Sequence, residues 1–343
     1  LTDADVIVLG LGPAGASAAA EAARRGCKVI ALDRKREAGV PVQCAELVPQ
    51  ILDVQPRAVR QRIDSMAMFV EEDAPEVKTD FPGQMLDRAA FDALLVEQAR
   101  SAGAEVRLSS CVRKVGPRGV VSSDGSVLRA RTIIGADGPH SRAGRAIGTV
   151  NRELVETRQI TVPLLEPHAA TEIFLSAGIP GGYGWLFPKG KVAHLGAGVH
   201  RAARSQLKEI VRRLHARLSG AKKTWSVPVL GAGILGITGG AIPVGGMLKP
   251  WAFMEDVLVL LAGDAAGLAN PVTGAGIAAA VHSGRLAGQA AASGEFQGYA
   301  EELEDVYGAA LERALSRRKE LLNGKPEKAA LRRGWIAYPE YWQ

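Results

Sequence analysis

Two short stretches hold residue types that could do chemistry. The first is Gly10-x-Gly12-x-x-Gly15, set between the apolar run DVIVLG and the alanine-rich ASAAAEAARRG. Between a strand and a helix, the first glycine permits a tight turn and the second lets backbone amides approach a pyrophosphate. The third lets helix and strand pack closely, and the helix dipole favours the anion. Asp33 closes the next apolar run, CKVIALD, 18 residues after Gly15. A carboxylate at that place can accept hydrogen bonds from an adenosine ribose. The second stretch is GVPVQCAELVPQ, residues 39–50, with Cys44 between Pro41 and Pro49. Such a cysteine is open to four readings: a packed bystander, half of a disulfide, a metal ligand, or a group beside a bound cofactor.

Composition narrows them. With only three cysteines, Cys27, Cys44 and Cys111, no disulfide framework is expected and a reducing compartment is the simplest setting. No C-x-x-C pair occurs and the six histidines are scattered, so no metal site is expected. Cys27 reads as a small buried hydrophobe opening a strand, and Cys111 as a structural residue sharing a strand face with Ser109 and Arg113. The net charge of +6 is spread along the chain with no recognisable nucleic-acid module, which argues against nucleic acid and for an anionic cofactor, an acidic partner or a membrane surface. No run of 18 apolar residues is present to span a bilayer, and LTDADVIVLGLG, with its early acids, reads as a strand rather than a leader. The expected location is cytoplasmic, with attachment at the inner face of the membrane as the alternative.

These residues need elements to hold them. Residues 5–33 read strand, turn, helix, strand, and MLDRAAFDALLVEQARSAGAEV reads as a helix with Phe91, Leu94, Leu95 and Ala99 on one face. RLSSCVRKV, VVSSDGSVLRA and RTIIGADG read as strand, hairpin and strand. Residues 151–250 are strand-rich around one basic helix, SQLKEIVRRLHARL. VLVLLAGDAAGLANPVTGAGIAAAVHSGRLAG then reads strand, loop, long helix, and the last 45 residues read as helical and basic. A second glycine match, GAGILG at 231–236, runs into ITGGAIPVGG where no helix can start, and reads as β structure. The fold class is therefore α/β: a Rossmann-like nucleotide-binding domain of residues 1–50, 84–150 and 255–295, a β-sheet substrate domain of 51–83 and 151–254, and a helical segment of 296–343. The site is expected where the domains meet.

GxGxxG, MLDRAAFD, GADGPHSR at 135–142 and GDAAGLANPVTGAGI at 263–277 together resemble the FAD-dependent enzymes of the aromatic-hydroxylase fold. Within that fold, PVQCAE resembles the P-V-x-C-x-E segment of the geranylgeranyl reductases, and GGYGWLFPKG resembles their Y-x-W-x-F-P motif. The resemblance implies FAD as cofactor with NAD(P)H as reductant. It places Gly10, Gly12, Pro13, Ala14, Gly15, Asp33, Arg34, Arg88, Val112, Asp137 and Gly138 along the dinucleotide. It places Gln43, Cys44, Ala45, Asp264, Pro271, Gly274, Ala275, Gly276 and Ile277 about the flavin, and Tyr183 and Trp185 at the substrate. Read without the family, Arg88 could equally pair with Asp92 on a helix surface, Asp137 and Gly138 could form a turn, and Tyr183, Trp185 and Phe187 could be a core stripe. The sequence departs from the family at Leu47, where glycine is frequent, at Asp33, where glutamate is usual, and in a shorter C-terminus. Gly267 replaces the histidine that hydroxylases often carry in GDAAH.

The implied activity is reduction of C=C bonds in a polyprenyl lipid or quinone, with hydride from reduced flavin matched by a proton on the other carbon. An ordinary thiol holds its proton at neutral pH, so Cys44, Tyr183 or an ordered water could donate it, or Cys44 could only pack on the ring. Two alternatives remain: a flavoprotein passing electrons to a redox protein partner, and an aromatic-ring monooxygenase. RGWIAYPEYWQ holds four of the ten Trp and Tyr residues in its last nine positions. Those aromatics suit a membrane interface, a docking surface or plain packing.

Overall fold

The computed structural model describes residues 2–50, 52–219 and 230–342. The opening strand Ala4–Leu9 is buried on both faces, as its continuous apolar sequence requires of a parallel strand. It lies inside a six-stranded sheet ordered Trp251–Met254, Val257–Leu261, Ala130–Gly135, Ala4–Leu9, Val29–Leu32, Glu105–Arg107. All pairs are parallel except the first, where Trp251–Met254 runs antiparallel. That strand joins this sheet across the expected boundary at 254/255, because it pairs antiparallel with Val257–Leu261.

Helix Pro13–Arg24 crosses helix Ile277–Ser293 through two glycines. A Cβ on Gly284 would lie 2.1 Å from the Ala14 carbonyl oxygen, and one on Gly288 would lie 2.5 Å from that of Ala18. Only glycine lets the two backbones come so close.

The second large sheet has eight strands, seven of them in the order Gly236–Thr238, Leu154–Pro163, Val192–His200, Gly184–Lys189, Ala170–Leu175, Ser65–Val70, Glu76–Lys78, with Ala241–Pro243 also on Leu154–Pro163. Period-two alternation sorts its side chains. One face carries Ala67, Phe69, Phe174, Leu186, Leu195 and Ala197 and is covered by helix Leu207–Ser219 through Ile210, Val211 and Leu214. Register puts Gln159, Thr161, Ile173, Trp185, Phe187, His194 and Gly196 on the other. A three-stranded sheet of Leu47–Pro49, Gly83–Leu86 and Val59–Ile63 adjoins the stretch that holds Cys44.

Several sequence expectations shift. RLSSCVRKV is not one strand: Glu105–Arg107 ends, Ser109 takes a left-handed φ of 56°, and the next strand begins at Val112. The reason is the crossing that the chain makes there, where the Ser109 and Ser110 amides donate to the carbonyls of Lys35 and Asp33. Cys111 therefore leaves the strand. Cys27 precedes strand Val29–Leu32 and is only half-buried against the core. Met85 and Leu86 belong to a strand, and the helix starts at Arg88 behind Asp87, whose carboxylate accepts from the Ala90 amide at 3.1 Å. GAGILG, by contrast, leads into strand Gly236–Thr238, in keeping with its reading as β structure.

Candidate active site

The first glycine turn is shaped by contact rather than by ligand alone. Gly10 has φ 86°, and a Cβ there would sit 2.4 Å from the Ala136 carbonyl oxygen. At Gly15 a Cβ would strike the Gly10 carbonyl oxygen at 1.8 Å, whereas at Gly12 it would meet nothing within 4 Å. The open side of Gly12 faces a cavity of about 1170 Å³. Helix Pro13–Arg24 begins there with no side-chain cap, and Pro13 in its first turn has no N–H to orphan. Asp33 ties the turn to the second strand, its carboxylate accepting from the Leu11 amide at 2.7 Å and the Lys35 amide at 2.8 Å.

On the same cavity lies Asp264, just after strand Val257–Leu261. Burial pushes its carboxyl up to about 6, against the opposing pull of the Arg88 cation, and no hydrogen bond from the described residues reaches it. An unpartnered acceptor in a cleft fits the hydroxyls of a ribityl or ribose chain. The loop beyond it is rigid by construction. Asn270 Oδ1 accepts from the amides of Val272 and Thr273 at 2.9 and 3.0 Å, Gly274 has φ 70°, and helix Ile277–Ser293 follows Gly276 uncapped. Uncapped amides at two helix starts, an open glycine capping the first of them and an unpaired carboxyl fit the donor and acceptor needs of an extended flavin dinucleotide.

All but two of the residues singled out from the sequence line this one cavity. Gly15 packs behind the turn. Pro271 lies behind the loop, where its carbonyl accepts from Arg318 Nη1 at 3.4 Å. Arg88 lines the cavity, but its fork is committed: Nε and Nη2 donate to the two Asp92 oxygens at 2.9 and 3.0 Å. It is thus not a free phosphate clamp. Burial works against its charge, but the Asp92 carboxylate, then the neighbouring Cys44, holds its pKa above the ordinary arginine value. Asp137 uses its carboxylate on its own turn, accepting from Ser141 Oγ and from the Arg142 amide at 2.6 Å. Cys111, read as structural, borders the cavity beside Val112.

Cys44 is held from three sides. Thr238 Oγ1 donates to the Val42 carbonyl at 2.8 Å and Gln43 Nε2 to that of Gly239 at 3.3 Å. Gln159 Nε2 donates to the Cys44 carbonyl at 3.4 Å, while its Oε1 accepts from Trp185 Nε1 at 3.0 Å. The Glu46 amide donates to Cys44 Sγ at 3.2 Å.

Glu46 itself is a site residue that the sequence reading passed over. It is 3% exposed, sits at a left-handed φ of 68°, and its carboxylate accepts from Lys189 Nζ at 2.6 Å, His194 Nε2 at 2.7 Å and the Arg88 amide at 2.9 Å. Burial alone would push its pKa up, yet His194, Lys189 and the Arg88 amide together hold it below the ordinary value. The other ring nitrogen of His194, Nδ1, lies 3.2 Å from Thr161 Oγ1. The signals were present: Glu46 closes PVQCAE, and Lys189 continues the odd-numbered stripe Tyr183, Trp185, Phe187.

That stripe forms the apolar part of the cavity with Met66, Phe81 and Ile173. Ring centroids are 5.8 Å apart from Tyr183 to Trp185 and 6.2 Å from Trp185 to Phe187. Gly196 makes room for the indole, since a Cβ there would lie 2.4 Å from Trp185 Cζ2. Tyr183 donates its hydroxyl proton to the Thr273 carbonyl at 2.6 Å, and burial above all, then the neighbouring Cys44, pushes its pKa up. Its proton is therefore already engaged. Trp335, from the C-terminal segment, sets its edge on Tyr183 at 4.7 Å.

Among the described residues no three-membered His, Cys, Asp or Glu group could hold a metal, and no helix is long and apolar enough to cross a membrane. An FAD binding domain model matches residues 3–170. The digeranylgeranylglycerophospholipid reductase 2 of Methanopyrus kandleri is 35% identical over 309 residues, covering 84% of this chain and 76% of its own length. The digeranylgeranylglycerophospholipid reductase of Methanosarcina acetivorans is 31% identical over 342 residues, covering 88% and 79%. Among solved structures, a geranylgeranyl bacteriochlorophyll reductase-like protein from Thermoplasma acidophilum superposes with a TM-score of 0.81 at 25% identity, over 96% of this chain and 89% of that one. A probable FAD-dependent monooxygenase from Pseudomonas aeruginosa shares the fold at a TM-score of 0.72 and 18% identity, over 96% of this chain and 98% of that one.

Proposed function

This chain belongs to the geranylgeranyl-reductase family of FAD-dependent oxidoreductases, and on that premise we propose that it saturates isolated C=C bonds in the polyprenyl chains of a lipid, with NAD(P)H as the source of electrons. The observation that carries this reading is the junction at Cys44. One cavity joins a polar part, with the glycine turn, Asp33 and Asp264, to an apolar part, with Met66, Ile173, Trp185 and Phe187. An apolar chain and a dinucleotide fit it together only by meeting near the thiol.

Bound FAD supplies hydride chemistry there. The protein's part is to bind, to orient and to manage a proton. Gly10, Gly12, Pro13 and Ala14 hold the pyrophosphate side, Asp33 and Asp264 accept from sugar and ribityl hydroxyls, and the amides from Gly274 to Ile277 face the ring. Trp185 and Tyr183 wall the alkene. An unactivated double bond is a poor electrophile, so the proton must reach one carbon as the hydride reaches the other. Cys44 Sγ supplies it, beside the Arg88 guanidinium. Tyr183 is the weaker donor because its hydroxyl is already bonded to Thr273.

The test is product analysis. The purified protein, incubated under argon with NAD(P)H and a digeranylgeranyl glycerophospholipid, is expected to add the mass of two hydrogens per reduced bond. A lipid recovered unchanged, while a redox protein oxidises the flavin, would favour the electron-transfer reading.

A further inference from the structure

We propose that Trp335 and Ile336, from the C-terminal segment, form the end wall of the apolar part of the cavity and so set how much of an isoprenoid chain can enter; this rests on the polyprenyl reading above. Both residues border the cavity. Trp335 is 3% exposed, meets Tyr183 edge-on at 4.7 Å, and shares one apolar cluster with Met66, Ile173, Trp185 and Phe187. The wall therefore stands next to the rings that face the alkene, yet it comes from a segment outside both large sheets.

That segment is anchored independently of its indole. Arg332 bridges Glu76 at 2.8 Å and Asp73 at 3.2 Å, Arg317 Nη2 donates to the Glu340 carbonyl at 2.9 Å, and Leu331, Tyr338 and Tyr341 are buried. Trp335 Nε1 is buried without a hydrogen-bond partner. The indole is thus held for its shape and not for a bond that its nitrogen makes. A linear isoprenoid threads by burying its length, so a rigid ring closing the apolar part limits length in whole isoprene units.

The flavin-loaded protein is titrated with geraniol, farnesol, geranylgeraniol and geranylfarnesol, each longer by one isoprene unit, following the change in flavin absorbance. Wild type is expected to gain affinity with length up to a break. Trp335→Ala should move that break at least one unit longer, tightening the first alcohol beyond it by about tenfold. Trp335→Phe, which keeps a ring and loses no hydrogen bond, should leave the break in place. Ile336→Ala provides a second opening of the same wall if Trp335→Ala does not fold. An unchanged break in a folded, flavin-loaded opening variant overturns the wall while leaving the polyprenyl reading intact. Wild-type protein that binds none of the alcohols overturns both.

Discussion

Three carboxyl and thiol groups divide the work of the site, and each has a distinct expected signature. If the Cys44 thiol donates the proton, Cys44→Ala should slow reoxidation of the reduced flavin by a polyprenyl lipid by about 10²–10⁴-fold in single turnover, without changing flavin content. Glu46 acts through its neighbours. Its folded pKa lies below the ordinary carboxylate value, so its stabilisation is complete above that value and disappears as pH falls through the depressed one. Glu46→Gln is expected to cost about 3 kcal/mol at neutral pH and to flatten the acid limb of a melting profile. Asp264 has the opposite sign. With its carboxyl raised from 3.8 to about 6, the flavin-free fold loses stability as pH rises between those values, by on the order of 3 kcal/mol, and the deficit persists above. Asp264→Asn should raise the melting temperature of flavin-free protein by roughly 5 °C and weaken FAD binding by about tenfold. Of these residues, Cys44 and Asp264 were legible because local context marks them: prolines around one, a strand end and glycine loop around the other. Gln159 was not, and Glu46 only through its place in PVQCAE, since their meaning lies in partners such as Lys189, His194 and Cys44 more than 100 positions away.

Elements matter where backbones must touch. The crossing of helices Pro13–Arg24 and Ile277–Ser293 fixes both helix starts on the cavity, so the distance between the two amide clusters depends on Gly284 and Gly288. Gly284→Ala, whose methyl would lie 2.1 Å from the Ala14 carbonyl oxygen, is expected to cost about 1–3 kcal/mol and to weaken FAD binding, read by melting and by flavin retention on gel filtration. The sequence pattern identified both helices and the strands before them, because parallel strands and small-residue helices have strong signatures. It misread RLSSCVRKV, where alternation continues through a bend imposed by the Lys35 and Asp33 carbonyls, and it placed the helix start in MLDR three residues early, where Met85 and Leu86 complete a sheet. The glycines of VAHLGAGV carried no meaning until Gly196 was found beneath Trp185.

At the scale of the whole molecule, four ordered motifs were enough to give the fold class, since each occupies a fixed place around the parallel sheet. The tail was not legible. Its aromatics suited a membrane, a partner or the core, and only the assembled structure buries Trp335, Tyr338 and Tyr341 beside the Met66–Trp185 cluster. Composition cannot distinguish these cases, because an aromatic stripe looks the same whichever surface covers it. The proposed reaction requires that one cleft bring reduced flavin and a polyprenyl chain together at Cys44. Its most direct test is an anaerobic stopped-flow mixture of the prereduced protein with a digeranylgeranyl lipid, followed at the absorbance of oxidised flavin. Oxidised flavin is expected to return in step with the amount of lipid, and Cys44→Ala to slow this return. Reduced flavin that stays reduced with excess lipid, yet reoxidises promptly in air, would contradict it.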